Sequence, residues 1–221
     1  MDIHNTELFK GVTYEECNKM LHCFKTEFRE YSAGEHICDY SETEKYIGII
    51  TKGSVKIIRT DENGNNSILE HLGENGIFGK YIAYATGAGD GIYVECETPC
   101  EVVYIGSEHI TKRCSNACEC HSRVVENMFD IVTKKSVELS RHLYVLSSRS
   151  TRDKLLSYFR LMCEQNKNTV IELPFSTTAL AEYLCVDRSA MTRELKRLKD
   201  EGIIIMDKRK VRLITGDDFN N

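Results

Sequence analysis

The stretch from Phe175 to Leu213 constrains this chain most, because it reads as two short helices, a tight turn and a basic hairpin in immediate succession. Leu180, Ala181 and Leu184 lie at i, i+1 and i+4, the apolar face of a helix of one to two turns that the Ser176 hydroxyl caps. Cys185 and Val186 make the turn. Asp187 caps a second helix, whose inward residues Met191, Leu195 and Leu198 recur at spacings of four and three before Gly202 stops it. Ile203 to Met206, the charged Asp207-Lys208-Arg209-Lys210 and Val211 to Ile214 then read as a hairpin. The pattern predicts a helix-turn-helix with a wing. A solvated amphipathic helix followed by an ordinary hairpin is the competing reading, and the mutual agreement of cap, turn, stop and wing argues against it.

Arg188, Ser189, Thr192, Arg193, Lys196 and Arg197 face outward on the second helix. A guanidinium bonds the two acceptors on a guanine edge, while hydroxyls and ammonium groups hold phosphates. With Thr177 and Thr178 opening the first helix and Lys208 and Arg209 at the hairpin tip, these residues are the candidate DNA contacts. The charge distribution agrees. Residues 149–212 carry 14 Lys and Arg against 9 Asp and Glu, whereas residues 1–148 carry 15 against 23, so the net charge of -5 hides a basic C-terminal part.

The first residues, MDIHNTELFKG, lack the basic flank and apolar core of a signal peptide, and no apolar run approaches the roughly 18 residues of a membrane span. The expectation is a cytoplasmic protein without a membrane partner. Residues 6–31 read as a helical lead-in with Met20, Leu21 and Phe24 on one face. Short β-branched or aromatic runs follow at Tyr46–Thr51, Ser54–Arg59, Ser67–Leu72 and Ile92–Glu95, with turn signals between them. Asn63-Gly64 is a two-residue hairpin signal, since both central positions of that turn need positive φ. Many short strands predict a small barrel or jelly roll.

From residue 109 to 146 the period becomes helical. Val125, Val132, Leu139 and Leu146 fall seven apart, with Met128, Phe129, His142 and Leu143 in neighbouring seam positions, a stripe suited to a parallel coiled-coil homodimer. Packing of that helix on its own barrel is the alternative. Ser147 to Thr151 is a polar hinge, and Arg152 to Cys163 makes a further helix. The expected architecture is α+β: an antiparallel β-roll with helical lead-in over 1–108, a long dimerisation helix over 109–147, and a winged helix-turn-helix over 148–221.

This order resembles the cyclic-AMP receptor and fumarate-nitrate regulator (Crp/Fnr) family of bacterial transcription factors over nearly the whole chain. The resemblance rests on Leu8-Phe9-Lys10-Gly11, Tyr31-Ser32-Ala33-Gly34-Glu35, Gly53-Ser54-Val55-Lys56, Gly76-Ile77-Phe78-Gly79 and Arg188 to Leu195. It implies a homodimer that binds a two-fold symmetric operator, responds to a signal in its roll and works with RNA polymerase. It also implies that Arg193 reads a guanine and that Arg188 makes a second base or phosphate contact. Ser189 stands where the family often has a glutamate, which removes an acceptor for a cytosine amino group.

Members that bind cyclic nucleotides carry a Gly-Glu pair for the ribose and an Arg-Ser pair for the cyclic phosphate. Here the corresponding residues are Gly79-Lys80 and Asp90-Gly91, and an aspartate repels a phosphate, so cyclic AMP is not the expected effector. Phe78, Gly79, Lys80, Tyr81, Asp90, Gly91 and Tyr93 are the candidate lining of an effector pocket for an unknown small molecule. Cys114, Cys118 and His121 fall at i, i+4 and i+7 of a helix, placing two thiols and an imidazole on one face with Cys120 beside them, and Cys17 or Cys23 can supply a fourth ligand. Zinc, an iron–sulfur cluster, a thiol redox switch and thiols buried without a shared site all remain open, and haem on His71 or His121 has no supporting pattern. No nucleophile–base pair, phosphate loop or carboxylate pair stands out, so an enzyme is not expected. The alternative to a DNA-binding regulator is a metal- or redox-binding sensor whose output is a protein partner.

Overall fold

Runs of β-branched residues that alternate in and out build two antiparallel sheets in the N-terminal unit, Met1–Ser136, while the C-terminal unit is Val137–Asn221. The computed structural model of the chain describes residues 3–40, 46–79, 91–111 and 119–214. A 3-10 turn at Glu7–Phe9 precedes α1 (Tyr14–Cys23), which begins in a capping box. There Glu16 N donates to the Thr13 hydroxyl at 3.3 Å and Thr13 N donates to the Glu16 carboxylate at 2.9 Å. Bonding to the Thr13 hydroxyl and amide holds the Glu16 carboxyl down at about 2. The helical lead-in is shorter than expected: Lys25 takes a φ of 47°, and Glu27–Tyr31 is strand β1.

One sheet has the order β1–β8–β3–β6, with β3 at Tyr46–Lys52, β6 at Ile77–Phe78 and β8 at Cys100–Gly106. The other has the order β2–β7–β4–β5, with β2 at His36–Asp39, β4 at Val55–Thr60, β5 at Asn66–Leu72 and β7 at Gly91–Cys96. The four strands expected from the sequence coincide with β3, β4, β5 and β7. Strands β1, β2, β6 and β8 escape that reading for physical reasons. β1 is mostly exposed and charged, β6 is only two residues long, and β8 is buried along nearly its whole length and so shows no alternation. The β4–β5 hairpin exists, but not on a two-residue Asn63-Gly64 turn. Only Gly64 of that pair has positive φ, and the Asp61 carboxylate instead accepts from Asn63 N at 2.9 Å and Asn65 N at 2.8 Å.

Alternation along β3 divides the apolar residues between two cores. Ile50, Phe78, Val94 and Val102 fill the space between the sheets. Ile47 and Ile49 point the other way, into a core shared with Leu8, Phe9 and Phe24 and with Val124 and Ile131 of α3 (Glu119–Leu146). Each of these side chains is worth about 1.5–3 kcal/mol of apolar burial. Helix α2 (Ser107–Thr111) follows β8 directly.

The C-terminal unit comprises α4 (Thr151–Asn166), β9 (Val170–Glu172), α5 (Thr177–Tyr183), α6 (Arg188–Asp200), β10 (Ile204–Asp207) and β11 (Lys210–Leu213). The wing is a three-stranded sheet, β10–β11–β9, whose first strand precedes the helix-turn-helix and is too short to show in the sequence. Leu155, Phe159, Leu180, Leu184, Met191, Leu195, Leu198, Ile204 and Val211 are buried in its core.

Gly48 sits where the two cores meet on β3. A Cβ there would lie 2.3 Å from the Phe78 ring. Gly48→Ala is expected to displace that ring and cost about 1–3 kcal/mol, read as a lowered urea midpoint with unchanged slope.

Candidate nucleic-acid interface

Two N-terminal caps and two residues of positive φ set the helix-turn-helix, and a third cap starts the helix before it. The Ser176 hydroxyl accepts from Ala179 N at 3.2 Å to start α5, and the Asp187 carboxylate accepts from Ala190 N at 2.8 Å to start α6. Ser150 caps α4 through Asp153 N at 3.0 Å. Cys185 turns the chain at φ 51°, and Gly202 ends α6 at φ 70°. The hydroxyl of Ser189 and the Ala190 amide hold the Asp187 carboxyl below its ordinary range, so the cap stays charged near neutrality.

Arg188, Ser189, Thr192, Arg193, Lys196 and Arg197 are all exposed on α6, and Met191, Leu195 and Leu198 are all buried. Their chemistry is not equivalent. Ser189 donates its hydroxyl proton to Asp187 at 2.6 Å, and Thr192 donates to the Arg188 carbonyl at 2.8 Å. Arg197 lies 3.4 Å from Glu194. Arg188, Arg193 and Lys196 make no ion pair among the described residues, which leaves three cations for a polyanion. Thr177 and Thr178 are exposed at the start of α5. At the wing tip Lys208 takes a φ of 51° and is exposed. Arg209, a candidate phosphate contact, is committed elsewhere: its Nε donates to the Leu173 carbonyl at 2.8 Å and a terminal nitrogen donates to the Pro174 carbonyl at 2.6 Å.

Sequence reasoning missed Arg152. From the start of α4 it donates to Glu194 at 3.0 Å and also bonds Glu201, so one guanidinium grips α6 at its middle and just past its end. Arg152 holds the Glu201 carboxyl below its ordinary range. An ion pair 42 residues apart in the chain leaves no local signal.

The stripe on α3 divides in two. Val125, Val132 and Leu139 are exposed, together with Phe129 at 73% and Leu143 at 66%. Met128 packs against the Leu8–Phe9 core. His142 is buried, with Nε2 2.8 Å from the Tyr183 carbonyl oxygen and its ring stacked on Tyr183 at 3.9 Å, and Leu146 is half-buried. Met128 and His142 therefore face their own chain, while Phe129 and Leu143 join the exposed set.

Of the candidate effector residues, Phe78 and Gly79 line one cavity, whereas Gly91 and Tyr93 belong to the opposite sheet and do not. Lys80, Tyr81 and Asp90 lie outside the described residues, as do Cys114 and Cys118. His121 is buried: its Nε2–H donates to the Ile110 carbonyl at 2.8 Å and the ring meets Phe24 edge-on. Cys120 bonds the Glu16 carboxylate. Cys17 is buried and Cys23 exposed, and no group of three potential metal ligands occurs among the described residues. Burial, aided by the neighbouring Cys100 thiol, pushes Cys96 up to about 12, which disfavours a reactive thiolate there.

Residues 28–117 match the family described as cyclic nucleotide-binding domain, and residues 153–218 match the Crp-like helix-turn-helix domain. The chain is 22% identical over 194 residues to the cAMP-activated global transcriptional regulator CRP of Escherichia coli, covering 83% of this chain and 86% of the relative. It is 20% identical over 191 residues to the global nitrogen regulator of Synechococcus elongatus, covering 84% of each. Among solved structures, OCPA-complexed CprK superposes with a TM-score of 0.70 at 18% identity, over 91% of this chain and 92% of that one. The c-di-GMP-responsive global regulator CLP of Xanthomonas campestris superposes with a TM-score of 0.68 at 16% identity, over 90% and 99%. These structural likenesses show the fold. With both domain families present in order, the chain belongs to the Crp/Fnr family and is a Crp-like DNA-binding transcription regulator. Its relatives are regulators, and no helix among the described residues is long and apolar enough to cross a membrane.

The cap on α5 is local and separable from the core. Ser176→Ala is expected to cost about 1 kcal/mol, seen as a lowered denaturation midpoint.

Proposed function

We propose that two copies of the chain pair along α3, and that the pair reads a two-fold symmetric operator under control of a signal other than a cyclic nucleotide received in the N-terminal unit. The observation that carries this reading is the set of exposed cations on α6, Arg188, Arg193 and Lys196, on a helix whose opposite face is buried. Arg193 is the base-reading residue, and Arg188, Lys196, Thr177, Thr178 and Lys208 hold phosphates. Homodimerisation is supported by Val125, Phe129, Val132, Leu139 and Leu143, apolar residues exposed on α3 at spacings of four, three, seven and four. Two recognition helices then meet half-sites about one helical turn, ~34 Å, apart.

That the signal is not a cyclic nucleotide is supported by Asp90-Gly91 standing where the phosphate-binding Arg-Ser pair belongs. One neighbour of the same fold is complexed with OCPA and another is responsive to c-di-GMP, which supports a signal other than cyclic AMP in a chain of this fold. RNA polymerase is the second partner in this reading, and the cytoplasm its place of action. The alternative, a metal- or redox-binding sensor acting through a protein partner, draws no support from His121, which donates to the Ile110 carbonyl, or from Cys120, which bonds the Glu16 carboxylate.

Operator DNA selected from a random pool and titrated by fluorescence anisotropy tests the reading. Affinity is expected to fall steeply with salt, and Arg193→Ala to weaken the selected site by about 10- to 100-fold. A variant that binds every sequence as the parent does would sink the proposal. Leu143→Glu places a charge on the exposed α3 stripe and is expected to give monomers in sedimentation velocity together with loss of operator binding. A parent already monomeric at operator-binding concentrations would refute the pairing.

A further inference from the structure

In the C-terminal unit the last turns of α3 and the body of α4 enclose an open groove of about 410 Å³, all of whose lining belongs to that unit. Helical spacing puts its residues there. Val137, Arg141 and Tyr144 recur at four and three along α3, and Ser157, Arg160, Leu161 and Glu164 at three, one and three along α4, so each helix contributes one face. None of the α3 residues assigned to pairing of two copies lines the groove, so that pairing leaves it unfilled. Its volume is that of a small-molecule site, roughly 300–1,000 Å³.

Two guanidiniums and one carboxylate face the groove. Arg141 and Arg160 make no hydrogen bond or ion pair among the described residues, although Glu164 stands one turn from Arg160 on the same helix. Nearby cations are treated differently: Arg152 is bonded to Glu194 and Glu201, and Lys154 donates to the Leu184 carbonyl at 3.1 Å. Two like charges in one concavity repel each other, and an anion between them turns that repulsion into attraction. A guanidinium offers paired N–H donors to two oxygens at once, so two guanidiniums favour a head with two charges and more than two oxygens. That selects a phosphate monoester over a carboxylate.

The remaining walls are apolar. Val137 and Tyr144 are exposed at 46% and 64%, and Leu161 is half-buried beside them. A carbon body attached to the phosphate covers these side chains, whereas inorganic phosphate leaves them in water. A DNA backbone meets a protein through phosphate and sugar and brings no aromatic or aliphatic body to them. We propose that this groove binds a small organic phosphate, its head held by Arg141 and Arg160 and its body lying on Val137, Tyr144 and Leu161. Such a ligand touches the helix on each side of residues 147–150 and ties the end of α3 to α4. The site goes beyond the operator reading and does not rest on it.

Isothermal titration calorimetry on the full chain, with phenyl phosphate, inorganic phosphate and benzyl alcohol as probes, tests the proposal. Phenyl phosphate is expected to bind about tenfold tighter than inorganic phosphate, and benzyl alcohol not to bind. Arg141→Gln and Arg160→Gln are each expected to weaken phenyl phosphate about tenfold, and Glu164→Gln to tighten it about threefold by removing the one carboxylate of the lining. A gain in Glu164→Gln is a result that misfolding does not produce. Absence of phenyl phosphate binding up to about 10 mM, inorganic phosphate or benzyl alcohol binding as tightly, or an affinity that neither arginine variant moves overturns the proposal. So does loss of operator affinity in both arginine variants of a chain that binds no phenyl phosphate, which marks the pair as DNA contacts. Operator titration of the same preparations keeps the two readings apart, because intact Arg193-dependent DNA binding without phenyl phosphate binding removes the groove site alone.

Discussion

The DNA-reading surface depends on one constraint: α6 is held by its buried face and clamped at its side, so that its outer face is presented without freedom to roll. Met191, Leu195 and Leu198 are inserted against α4 and α5, and Arg152 ties Glu194 and Glu201 to the start of α4. Apolar insertion is non-directional and fixes which face is inward. The two carboxylate bonds are directional and fix the rotation about the helix axis. A recognition helix needs both, since base-edge contacts fail with small errors of rotation. The same clamp engages Glu194 in the middle of the recognition sequence, where its carboxylate is bonded by Arg152 and Arg197.

In the N-terminal unit the equivalent constraint is the two-residue period of the strands. Because successive side chains alternate, β3 supplies Ile47 and Ile49 to one core and Gly48 and Ile50 to the space between sheets. Gly48 leaves room for the Phe78 ring, and that ring forms a wall of the cavity it lines with Gly79. Cavity and cores therefore come from one packing decision. The apolar residues fill the space until the charged mouth of β1 and β2 is reached, where Glu27, Arg29 and Asp39 prevent further filling.

The cysteines illustrate how little composition says about the role of a thiol. Ten in one chain suggest metal or redox chemistry. Yet Cys17, Cys96 and Cys100 are buried, and His121 donates its Nε2–H to a backbone carbonyl. Among the described residues these four groups are packed as small apolar side chains and a hydrogen-bonded core histidine, and a thiol or an imidazole looks the same in sequence whichever role it plays.

What the sequence by itself determined is everything with a short physical range. The caps at Ser176 and Asp187, the turn at Cys185, the stop at Gly202, the buried spine of α6 and the basic hairpin are set by residues within a few positions of one another, and each is legible as such. Strands of clean alternation and a long helix with a seven-residue stripe are legible for the same reason. Tertiary structure alone decided the rest. It chose Phe129 and Leu143 over Met128 and His142 as exposed residues of α3, because a stripe near 3.5 residues per turn borders two faces and only packing says which is covered. It turned Arg209 back to the Leu173 and Pro174 carbonyls, paired Arg152 with α6, and brought Tyr46, Phe78 and Tyr104 from three strands into one corner. Those contacts join residues tens of positions apart, and no local period records which distant partner a side chain will meet.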